Sequence, residues 1–124
     1  PPSSPRSNSS LALNRVWCLR ELGRKDEADA ILKQVEAFVM RLRDSATYNY
    51  YPVDAKLRLI KGDTSGALTV LEAAWVRMEL EFSTFGDPVL RTLAGEPRFE
   101  VLRSELTTHV NAEREKLGWA PAVL

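Results

Sequence analysis

Residues 28 to 42, ADAILKQVEAFVMRL, carry apolar side chains at Ala28, Ile31, Leu32, Val35, Phe38, Val39 and Leu42. This three-and-four spacing gathers them on one face of a 3.6-residue helix, with Asp29, Lys33, Gln34, Arg41 and Arg43 on the other. A stripe this wide has to be buried, and nothing within the segment covers it. The chain must therefore supply other helices that pack against this one.

The flanking sequence does so. Leu11, Leu13, Val16, Trp17, Leu19 and Leu22 predict a helix capped by Ser9 or Ser10 and ended by Gly23, whose backbone tolerates the left-handed conformation found at helix ends. Gly23-Arg24-Lys25 is then a tight turn. Asp26, Glu27 and Asp29 open the next helix and Arg41 and Arg43 close it, matching the helix dipole at both ends. Together the two segments read as an antiparallel hairpin over residues 10–43. A second hairpin over residues 49–79 follows a connection at Asp44 to Tyr48. Asn49 caps its first helix, Pro52 lies in the first turn, and Tyr50, Val53, Leu57 and Ile60 share a face. Gly62 ends that helix, Asp63 or Thr64 caps the next, and Ala67, Leu68, Leu71, Ala74, Trp75 and Met78 repeat the three-and-four stripe.

Glu79 to Gly86, with Phe82 and Phe85, shows no clear period. Asp87-Pro88 predicts a short helix through Val89, Leu90 and Leu93 that Gly95 closes, and Glu96-Pro97 opens a last one carrying Phe99, Leu102, Leu106, Val110 and Leu117. These capping helices occupy residues 87–118. Residues 119–124 read as a tail in which Trp119 folds back, and the Pro/Ser-rich residues 1–9 as a linker to something upstream. The expectation is an all-α domain of about six helices over residues 10–118.

Composition narrows the function. Lys plus Arg and Asp plus Glu both number 17, so no net field favours nucleic acid or an anionic membrane, and neither is an expected partner. No apolar run approaches the roughly 20 residues that span a bilayer. One cysteine, Cys18, cannot form an internal disulfide, and the single histidine, His109, cannot build a His-containing metal cluster. A reducing, cytoplasmic setting is expected.

Set over one another, GRKDEADAILKQV from Gly23 and GDTSGALTVLEAA from Gly62 align Gly23 with Gly62, Ala28 with Ala67, Leu32 with Leu71 and Val35 with Ala74 at a constant offset of 39 residues. A small residue recurs where two helices approach closely, and a bulky apolar one follows four later. This pattern resembles the tetratricopeptide repeat, whose usual period of about 34 would be lengthened here in the second helix and the connection. The likeness covers about Ser10 to Met78. Ala12, Val16 and Leu19 suit buried family positions, whereas Arg15, Asp54 and Arg58 stand where apolar residues are usual, so the first helix of the second repeat is expected to be rotated or shifted. DPVLRTLAGEPRFEVL, from Asp87, is similar to the closing segment after such repeats in bacterial multidomain regulatory proteins. The resemblance implies a superhelical stack with a helical end cap.

No catalytic constellation is evident. The glycines fall singly at turns, and Glu79 and Glu81 read as a solvated acidic pair. His109 reads as a half-buried or surface residue, and Cys18, between Trp17 and Leu19, as a buried thiol. No catalytic activity, cofactor or metal is expected. In the repeat register Asn14, Trp17, Arg20 and Glu21 project from the first helix to the concave side, opposite Asn49, Lys56 and Leu59 or Ile60 on the third. Such a surface would hold an extended peptide or a partner's helix. The family's clamp for acidic tails is not carried over, because Leu13 and Trp17 occupy two of its positions. Tyr48, Tyr50 and Tyr51 read as rings sealing a gap between hairpins. The leading expectation is thus a non-catalytic interaction module. A second is a structural cap or homodimer sealed through Phe82 and Phe85, and a third is a small-molecule sensor.

Overall fold

The computed structural model describes residues 5–43 and 51–123. Among them the chain is all-helical, with α1 (Pro5–Glu21), α2 (Lys25–Arg43), α3 (Tyr51–Ile60), α4 (Thr64–Val76) and α5 (Pro97–Lys116). Two 3-10 turns, Phe82–Gly86 and Leu90–Leu93, lie between α4 and α5. The expected assignments at Asp44 to Tyr50, including the Asn49 cap, fall outside the described residues. Among the described residues, α1 packs along α2 and α3 along α4, giving the two expected hairpins, and α1 also lies against α3.

Helix ends follow one device. At the C-terminal ends of α1, α3 and α5, a glycine at positive φ (Gly23, Gly62, Gly118) donates its N-H three residues back, and the next residue donates five back. This Schellman arrangement satisfies carbonyls that the helix leaves without partners. The end of α4 uses the same bonds, Met78 N to Trp75 O at 2.9 Å and Glu79 N to Ala74 O at 2.9 Å, but with Met78 at φ 59°. The predicted stripe therefore stops short: Met78 is outside the helix and exposed. Asp63 caps α4 as expected, its Oδ1 accepting from Gly66 N at 2.9 Å.

Two further boundaries differ from expectation. α1 begins at Pro5, inside the expected linker, so Ser9 is an interior, buried residue rather than a cap. The chain from Asp87 to Gly95 forms a 3-10 turn instead of a sixth α-helix. Arg91 N donates four residues back to Asp87 O, but Thr92 N to Val89 O and Ala94 N to Arg91 O run three back, and Thr92 Oγ1 donates to the Val89 carbonyl at 2.7 Å. So short a segment cannot meet the cost of nucleating an α-helix. Glu79 to Gly86, without period in the sequence, contains the other 3-10 turn.

The core is two clusters with α3 between them. Leu13, Val16 and Leu19 of α1, Ala28, Leu32, Val35 and Val39 of α2, and Val53, Leu57 and Ile60 of α3 form the first, together with Val89 from the connector. The second joins Tyr51 and Ala55 of α3 to Ala67, Leu68, Leu71 and Ala74 of α4, to Leu80, Phe85, Leu90 and Leu93, and to Phe99, Leu102 and Leu106 of α5. Val53, Leu57 and Ile60 lie on one side of α3, Tyr51 and Ala55 on another. Buried on both flanks, α3 leaves its half-buried Asp54 and Arg58 to pair with each other at 3.0 Å.

Candidate interaction face

α1 and α3 position the residues expected to line a concave surface. On α1, Asn14, Trp17 and Glu21 recur at i, i+3 and i+7 and so share one face. Trp17 is half-buried, packed against the first cluster, and Glu21 is exposed. Asn14 is half-buried, and its Oδ1 is shut off from solvent without a hydrogen-bond partner among the described residues. Leaving such an acceptor unsatisfied costs about 1–3 kcal/mol.

Arg20, half-buried, and Lys56, fully buried, are both engaged in contacts within the protein. Arg20 donates from Nη1 to the Ile60 carbonyl at 2.8 Å, one of the orphan acceptors at the end of α3, and lies 3.7 Å from Asp29. It is a strut between α1, α2 and α3. Lys56 is 0% exposed. Its ammonium donates to the Ser10 carbonyl at 3.0 Å, to Ser10 Oγ at 2.9 Å and to Asp87 Oδ2 at 2.8 Å. All three ammonium protons are thereby matched, as a buried cation requires. Desolvation lowers the Lys56 pKa, against the hydrogen bond and charge of Asp87, which raise it. The expected place of Lys56 on an open groove is thus corrected: it is a buried tie from α3 to α1 and the connector.

The connector itself covers this side of α3. Asp87 also accepts from Val89 N at 2.9 Å and Leu90 N at 3.2 Å, fixing the turn that drives Val89 into the first cluster. Upstream, the Tyr51 hydroxyl accepts from Glu81 N at 2.9 Å and shares a hydrogen bond with Thr84 Oγ1 at 2.8 Å. Tyr51 is therefore a buried anchor of the second cluster for the connector, not a ring sealing the gap between hairpins, and Tyr48 and Tyr50 lie outside the described residues. Residues 81 to 90 lie across the N-terminal half of α3, and the face remaining on α1 is that of Asn14, Trp17 and Glu21.

The expected self-association pair fares differently. Phe85 is buried in the second cluster, its ring 5.1 Å from that of Phe99, so it presents no surface. The side chain of Phe82 lies outside the described part, as does Asn49. Cys18 is exposed rather than buried. It falls between the inward-facing Val16 and Leu19, on the outer side of α1 with the exposed Leu11 and Leu22. His109 is exposed and meets Trp75 edge-on, the ring centroids 5.8 Å apart.

Among the described residues no group of three or more His, Cys, Asp or Glu side chains could hold a metal, and no helix is long and apolar enough to cross a membrane. Sequence reasoning missed the Lys56, Ser10 and Asp87 contacts and the Arg20 strut. The one signal was Lys56 set among the apolar Val53, Ala55, Leu57 and Ile60. Comparison of the chain with family models, with curated proteins and with solved structures finds no match in any of the three.

Proposed function

We propose that this domain is a non-enzymatic protein-interaction module of tetratricopeptide-like build, which holds a partner's peptide or helix against α1 at Asn14, Trp17 and Glu21. The carrying observation is Trp17. It is the one large aromatic on that face, and it is half-buried where the inward residues of the same helix are sealed. An indole with one face packed and the other open is a typical anchor for a partner side chain. The repeat-like build is supported by the offset of 39, because Ala28 and Ala67 are both fully buried where each hairpin closes.

A displayed peptide library panned on the domain and counter-selected on a Trp17→Ala variant tests this reading. Sequences retained by the parent and released by the variant are expected. Peptides held equally by both, with unchanged circular dichroism, would overturn it.

A second reading, self-association, is favoured by the outer side of α1, where Leu11 is 60% and Leu22 71% exposed beside Cys18. A dimer by light scattering that disperses on Leu22→Asp is its expected result. A monomer at every concentration would remove it.

A further inference from the structure

The C-terminal half of α5 holds an extended peptide already, and that peptide is the chain's own tail. After the reversal at Gly118, Asn111 pairs with both backbone groups of Ala122: Nδ2 donates to its carbonyl at 3.1 Å and Oδ1 accepts from its N-H at 2.7 Å. This is what a neighbouring β-strand would offer one residue. Three residues on along the same helix, Arg114 donates from Nε to the Ala120 carbonyl, and its guanidinium lies 5.5 Å from the centre of the Trp119 ring. Between these anchors stands Pro121, which has no N-H to satisfy and keeps the backbone extended.

The attachment is polar and shallow. Trp119 remains 58% exposed and Val123 92%, so the segment can leave without opening either core cluster. All but one of its anchors read backbone, and the exception reads an aromatic face. One backbone bond, Trp119 N to Arg114 O at 2.9 Å, belongs to the helix-end reversal; the contacts made by the Asn111 and Arg114 side chains do not require the peptide to be joined to α5.

We infer that the surface around Asn111 and Arg114 is a docking strip for an extended partner segment of the pattern aromatic–x–Pro–x, which the residues from Trp119 to Ala122 occupy in cis until a competitor displaces them. This site is separate from the Trp17 face and does not rest on it.

The test uses the full chain. A fluorescein-labelled peptide WAPAVL is titrated by anisotropy into the parent, into a Trp119→Ala/Ala122→Pro variant whose own tail has lost its aromatic ring and its N-H, and into that variant carrying Asn111→Ala and Arg114→Ala as well. Expected is binding at least tenfold tighter to the tail-weakened variant than to the parent, and none once both anchors are removed. Absence of binding to the tail-weakened variant, or binding that survives loss of the anchors, would overturn the inference. Amide exchange in the parent gives an independent readout, free of the tail substitutions. The Ala122 N-H should be protected, and Asn111→Ala alone should speed its exchange at least tenfold; an Ala122 N-H that exchanges freely in the parent would also sink the proposal.

Discussion

At the scale of single residues, two positions carry costs that substitution can measure. Met78 takes the left-handed conformation that Gly23, Gly62 and Gly118 take at the other helix ends, at a penalty of about 1 kcal/mol for a residue with a Cβ. Its side chain is 61% exposed, so little packing is lost with it, and Met78→Gly should raise stability by about 1 kcal/mol in urea unfolding. Lys56 is the opposite case. Removing one partner of a buried ion pair strands the other, so Lys56→Ala should cost about 3 kcal/mol. The double change Lys56→Met with Asp87→Asn should recover a good part of that loss, because no charge is then stranded. Since desolvation lowers the Lys56 pKa below 10.5 in the folded state, the unfolded chain binds more protons between the two values. Stability should therefore rise as pH climbs toward 10.5, and Lys56→Met should flatten that rise in a series of urea midpoints. Glu72 behaves in the other sense. The hydrogen bond from Arg98 holds its carboxyl below the ordinary value of 4.5, so its contribution is present above that pH and fades as pH falls through the lowered pKa.

At the scale of elements, local chemistry and tertiary context divide the work, and the N-terminus of α4 separates them. Asp63 caps α4 through Gly66 N, and a Cβ at Gly66 would lie 2.1 Å from Asp63 Oδ2. Cap and glycine are therefore one device. Asp63→Ala should cost about 1 kcal/mol. Gly66→Ala alone should change little, since the helical gain of roughly 1 kcal/mol is offset by the displaced cap, yet in the Asp63→Ala background the full gain should appear. Thermal melts of the four chains check this, and strict additivity would show that the two residues are not coupled. Devices of this kind, with partners within a few residues, are what periodicity and end signals can reveal. They gave the hairpins, the Gly23 and Gly62 turns, the cap at Asp63 and the Ala28 and Ala67 contacts. The candidate site was legible only in part, because its membership depends on pairings across 31 to 46 residues: Lys56 to Asp87 and Ser10, Arg20 to Ile60. A cation offered to a groove and a cation spent inside the fold look identical in one dimension. The connector was illegible for a related reason. Its local device, Asp87 accepting from Val89 N and Leu90 N, acts together with distant partners, Tyr51 and Lys56, that the sequence does not reveal.

At the scale of the molecule, α3 decides how the two clusters behave. It lends Val53, Leu57 and Ile60 to one and Tyr51 and Ala55 to the other, while Val89, from a connector mostly buried in the second cluster, is fully buried in the first. Neither cluster keeps its burial if α3 leaves, so the hairpins should not unfold as separate units. The chain carries its own reporters, since Trp17 packs on the first cluster and Trp75 on the second. In two variants that keep only one of these tryptophans, the others replaced by phenylalanine, urea transitions followed by emission should share one midpoint and match the loss of helical circular dichroism. Leu57→Ala places the perturbation in the first cluster alone, where Leu57 is 6% exposed. If α3 couples the clusters, the change should lower the midpoint read at Trp75 as much as that read at Trp17, at a cost of about 2–5 kcal/mol. A shift confined to Trp17 would mean that the second cluster holds α3 and α5 together by itself, and that partner binding on α1 could not be felt at the Asn111 strip. A shared shift means that both faces rest on one cooperative core, so a ligand that stabilises either adds to the stability of the whole domain.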